Sequence, residues 1–129
     1  MPRQKSQRLT PLELEIMKVL WEAGSANVQT VQRRLERELA YTTVQTMLTV
    51  LHRKGKVTRR LKDKAYFYRP AVSRRDVIGK AFGDLIDGMF GGSAESLVMG
   101  LLETRHLTRE KLSRIHKILK KESPDEQDR

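Results

Sequence analysis

At 129 residues, with 38% hydrophobic and 33% charged side chains, the chain has room for one domain or for one small domain with an appendage, and its composition excludes a fibre and wholesale disorder. The absence of cysteine removes disulfides, thiolate metal clusters and thiol nucleophiles, and no apolar run approaches the roughly 18 to 20 residues of a membrane span. The formal net charge of +10 attracts polyanions and is concentrated: residues 1–72 hold 15 Lys/Arg against 6 Asp/Glu, residues 73–129 hold 11 against 10.

Residues 1–10 are charged and contain no apolar leader segment, so the expected location is cytoplasmic. Thr10-Pro11-Leu12-Glu13 then reads as a capping box with proline at the first helical position. Leu12, Ile16, Val19 and Leu20 recur at helical steps beside Trp21, and Gly24 ends the pattern, which gives a first helix over about 11 to 23. Asn27 is placed to cap a second helix that turns Val28, Val31 and Leu35 inward and runs to near Leu39. Thr42 or Thr43 is expected to cap a third, with Val44, Met47, Leu48 and Leu51 as its apolar stripe and Lys54-Gly55 as its stop.

Lys56 to Leu61 and Ala65 to Arg69 are extended runs joined by the turn-like Lys62-Asp63-Lys64 and halted by Pro70. Tyr66 and Tyr68 alternate with Phe67, so one face of that strand packs inward. Three helices followed by a hairpin is the order of a winged helix-turn-helix. Ser73, Ser93 and Thr108 are expected to cap three further helices, interrupted by Gly91-Gly92. Their apolar positions are Val77, Ile78, Phe82, Leu85, Ile86 and Met89, then Leu97, Val98, Leu101 and Leu102, then Leu112, Ile115, Ile118 and Leu119. Some 50 residues are too few for a secure separate core, so this surface is assigned to pairing with a second copy. The fold class is mainly α with a small β-wing: a winged helix-turn-helix over 1–72, a helical dimerisation region over 73–122, and a frayed tail over 123–129.

In a helix-turn-helix the second helix of the motif enters the major groove, with its N-terminal side chains against base edges. That helix is the third one here, and its outward positions are Thr42, Thr43, Gln45, Thr46 and Thr49, short hydroxyls and an amide that pairs with adenine. Cations frame it: Arg53, Lys54 and Lys56 at its end, Arg59, Arg60, Lys62 and Lys64 on the wing, and Arg3, Lys5 and Arg8 ahead of the first helix, beside the Thr10 hydroxyl. Phosphate contacts set register while base contacts read sequence, so the cations are assigned positioning and the Thr/Gln face readout. A competing use of the basic face is docking of an acidic protein partner. His52, His106 and His116 match no zinc spacing, and no phosphate loop, nucleophile elbow or HExxH occurs, so the sequence offers no catalytic residue, metal site or cofactor site.

Leu9-Thr10-Pro11-Leu12-Glu13, Val19-Leu20-Trp21, Tyr41 to Leu48, Lys54-Gly55 and Tyr66-Phe67-Tyr68-Arg69-Pro70 together resemble the BlaI/MecI/CopY penicillinase-repressor family, and Ser96-Leu97-Val98 with Leu107-Thr108 extends the resemblance into the tail. It implies a homodimer on a palindromic operator in double-stranded DNA, blocking transcription with the third helix on bases and the wing on the backbone. It also marks departures. Some members carry basic residues where Thr42 and Gln45 stand. The beta-lactam-responsive members are cut at an Asn-Phe bond, where this chain has Gly100-Leu101, and the copper-responsive members use tail cysteines, of which it has none. The signal for release, protease or ligand, is therefore not carried over.

Overall fold

The computed structural model describes residues 8–122; Arg3, Lys5 and the tail from Ser123 lie outside the described residues. The elements run α1 (Pro11–Ala23), α2 (Val28–Arg34), α3 (Tyr41–Arg53), β1 (Val57–Lys62), β2 (Ala65–Pro70), α4 (Arg74–Met89), α5 (Ala94–Glu103) and α6 (Arg109–Glu122). Two compact units divide the chain between Gly79 and Lys80, inside α4, rather than at 72/73.

Local chemistry starts α1 as its sequence demands. The Thr10 hydroxyl accepts from the Glu13 N–H at 3.1 Å, and the Glu13 carboxylate accepts from the Thr10 N–H at 2.9 Å. Asn27 caps α2 by accepting from the Thr30 N–H at 2.9 Å. Two boundaries differ from expectation. The second helix stops at Arg34 instead of near Leu39, because Leu35 turns extended (ψ 142°) and buries its side chain in the core. The peptide beyond is held by the Gln32 side-chain amide, which donates to the Leu39 carbonyl. The third helix begins at Tyr41 after Ala40, with no side-chain cap, so Thr42 and Thr43 are first-turn residues rather than caps.

Ile16, Met17 and Leu20 of α1 meet Val28 and Val31 of α2 and Val44, Leu48 and Leu51 of α3 in one buried cluster, closed by Val57 and Tyr68 from the hairpin. β1 and β2 pair antiparallel, with Val57 opposite Pro70, Arg59 opposite Tyr68 and Leu61 opposite Tyr66. Pro70 therefore ends β2 from within. Ala26 adds an isolated bridge to Tyr68, which widens the sheet just enough to cover the core edge. The Trp21 indole N–H donates to the Val72 carbonyl at 3.0 Å and ties the exit of the hairpin to α1. The hairpin loop is two residues, Asp63 and Lys64, both at positive φ (52° and 68°) as a turn matched to strand twist requires, and Lys62 belongs to β1.

After the hairpin the helices are capped as the sequence implies. Ser73 accepts from the Asp76 N–H, Ser93 from the Ser96 N–H and Thr108 from the Lys111 N–H. The break between α4 and α5 passes through Gly91 and Gly92 at positive φ. Gly100 makes room for the Phe90 ring, which a Cβ there would approach to 3.2 Å. Neither α4, α5 nor α6 buries a single residue.

Candidate nucleic-acid interface

On α3 the buried positions Val44, Leu48 and Leu51 form one stripe, so the helix must show its other faces to solvent. Thr42, Thr43, Gln45 and Thr46 are exposed over its first turn and a half. Thr49 is half-buried, and its hydroxyl proton is donated to the Gln45 carbonyl at 3.0 Å, so what it presents outward is a methyl group and acceptor lone pairs. His52 and Arg53 continue the exposed stripe. The three- and four-residue spacing from Thr42 through Gln45 and Thr49 to His52 already carried that signal, which a search of histidines for metal spacing passes over.

Lys54, expected on a phosphate, is committed elsewhere. Its ammonium lies 2.9 and 3.0 Å from the two Glu13 carboxylate oxygens and 3.1 Å from the Arg8 carbonyl, so all three donors are engaged within the domain. The cause is Glu13 itself. Only 4% of it is exposed, and a carboxylate that capping draws into the helix–hairpin junction needs a cation to offset its lost hydration. The Thr10 hydroxyl, as cap, has its acceptor side taken but stays exposed.

The hairpin pleat sorts the wing cations onto two faces. Arg59 lies with Leu61, Tyr66 and Tyr68, and its guanidinium stands 4.2 Å over the Tyr66 ring. Of that row, Tyr68 is in the core and Tyr66 is exposed. Arg60, Lys62 and Arg69 project to the other face with Thr58 and Phe67, where with Gly24 and Ser25 they line an open groove of about 470 Å³. Arg69 is a cation that reading the hairpin as a buried aromatic strand overlooks. None of Arg59, Arg60, Lys62 or Arg69 has an acidic partner among the described residues. Lys56 is half-buried beside the sheet, and Lys64 stands exposed in the turn.

Along α4, α5 and α6 the apolar side chains assigned to pairing are exposed or half-buried. Phe82, Leu85, Met89, Val98, Leu112, Ile115, Ile118 and Leu119 are exposed, Met89 by 75% and Leu119 by 56%, while Val77, Ile78, Ile86, Leu97, Leu101 and Leu102 are half-buried. Met99, at 56% exposure, belongs with them and lay outside the sequence-derived set. Among the described residues no group of three or more His, Asp or Glu is placed to hold a metal ion, and no single helix is long and apolar enough to cross a membrane.

The family described as penicillinase repressor matches residues 9–121. A penicillinase repressor of Bacillus licheniformis is 28% identical over 118 residues, covering 90% of this chain and 92% of the relative. The methicillin resistance regulatory protein MecI of Mammaliicoccus sciuri is 26% identical over 119 residues, 91% of this chain and 97% of its own. The YusO protein of Bacillus subtilis superposes with a TM-score of 0.52 at 19% identity, over 95% of this chain and 80% of that one, a likeness of fold alone.

Proposed function

Because the chain belongs to the penicillinase repressor family, and is thus a DNA-binding transcriptional repressor and not an enzyme, we propose that it acts as a homodimer in the cytoplasm on a two-fold symmetric operator, each copy reading one half-site. The observation that carries the reading is the α3 surface, where Thr42, Thr43, Gln45 and Thr46 are exposed together on a helix whose opposite stripe is locked in the core. Hydroxyls and an amide on a rigid helix are groove-reading chemistry, and the guanidinium and ammonium groups of Arg53, Arg59, Arg60, Lys62 and Lys64 supply phosphate affinity on either side. A protein partner on the same surface would ask for large apolar anchors, and between Thr42 and Arg53 the exposed positions hold none.

Pairing through α4, α5 and α6 is supported by the exposed apolar side chains there, which a lone copy would leave in water. The division of labour is tested by measuring affinity for operator and random duplex across a salt series. Gln45→Ala and Thr46→Ala are expected to lose about 1–3 kcal/mol on operator and little on random DNA. Arg60→Ala is expected to weaken both and to flatten the salt slope by about one unit. Equal specificity losses in the two classes would refute the assignment.

A further inference from the structure

The inner face of the wing carries an apolar pair that the core does not use. Val57 and Tyr68 of that face are buried where β1 packs on α3 and β2 on α1, but the next cross-strand pair outward, Leu61 opposite Tyr66, is left 62% and 42% exposed. Two cations border it, Arg59 on the same face with its guanidinium over the Tyr66 ring and Lys64 exposed in the turn, while Arg60 and Lys62 leave by the opposite face of the hairpin. The loop itself is informative. Lys64 sits at φ 68°, where glycine would be unstrained, so a cation is held at the tip against a backbone penalty. Apolar side chains bordered by cations are uncommon on a solvated edge but match the minor groove of duplex DNA, whose walls are deoxyribose and whose rims are phosphate.

The reach agrees. From Val57 to Leu61 the strand advances four steps of roughly 3.3 Å, about 13 Å, and the Leu61 and Tyr66 side chains extend the reach by a few ångströms more. A helix centred in the major groove lies half of the roughly 34 Å helical repeat, about 17 Å, from the adjacent minor groove. Building on the DNA-reading assignment above, we propose that Leu61 and Tyr66 pack against the sugar walls of the minor groove beside each half-site, and that this contact makes the repressor prefer A·T base pairs there. The narrow A·T groove brings both walls onto the pair and concentrates negative potential around Arg59 and Lys64. A G·C pair places the guanine amino group in the groove, where the apolar side chains leave it unpaired and the cations cannot accept from it.

The test uses the full chain and a half-site recovered by selection from a random duplex library, with the wing-side flank set to A·T, G·C or inosine·cytosine. Inosine·cytosine shows the minor-groove face of A·T and the major-groove face of G·C. A·T and inosine·cytosine flanks are expected to bind about ten-fold more tightly than G·C flanks. Leu61→Met is expected to keep that ratio. Leu61→Ala is expected to bring it toward one, with the thermal midpoint and half-site discrimination unchanged. A wild-type ratio of one, inosine·cytosine behaving like G·C, or a ratio that survives both Leu61→Ala and Tyr66→Ala overturns the inference while leaving operator reading intact. A selection that returns no preferred half-site overturns both.

Discussion

Thirteen hydrophobic residues are buried between Ile16 and Tyr68, whereas α4, α5 and α6, with apolar periodicity just as regular, bury none. The difference lies in what each region can pack against. In the first, three helices and a hairpin enclose a common centre, so each apolar stripe finds a facing stripe within the same chain. In the second, the stripes on three successive helices are left largely open to solvent. Helical periodicity thus has two outcomes, a core when the chain supplies the opposite wall and an exposed apolar face when it does not.

Three changes would break or sharpen that contrast. The largest effect is expected from ending the chain after Gly79. The remaining unit should stay folded by circular dichroism yet sediment as a monomer, and affinity for a two-half-site operator should fall about a hundred-fold or more as the linked second contact is lost. A truncated chain that still self-associates would place the interface in the wrong region.

Next comes a pair of lysine deletions. Lys54→Ala leaves the Glu13 carboxylate buried without its cation and is expected to cost about 3 kcal/mol in urea unfolding, while Lys120→Ala on the exposed α6 should stay within about 0.5 kcal/mol. Comparable losses would mean that the two regions do not differ in how they use charge.

Smallest is Lys64→Gly in the hairpin turn. It should raise stability by about 1 kcal/mol through relief of positive φ, and at the same time lower DNA affinity a few-fold with a salt slope about one unit shallower. A gain in both stability and affinity would remove Lys64 from the DNA surface.

Capping and periodicity determined a large part of this architecture before any packing was considered. Thr10 with Glu13, Asn27, Ser73, Ser93 and Thr108 all cap where the sequence places them, because a cap acts across three residues and leaves its mark in the local string. The outward Thr/Gln face of α3 was legible for the same reason: Val44, Leu48 and Leu51 fix which side of the helix faces water. Tertiary structure decided the rest. Lys54 looks like one more wing-side cation until Glu13, 41 positions earlier, is brought to 2.9 Å. The early end of α2 depends on a core that draws Leu35 out of the helix, and the separation of Arg59 from Arg60 depends on the register in which β1 meets β2. Such choices rest on contacts between residues far apart in the chain, where burial and charge pairing outweigh the few tenths of a kcal/mol by which local propensities differ.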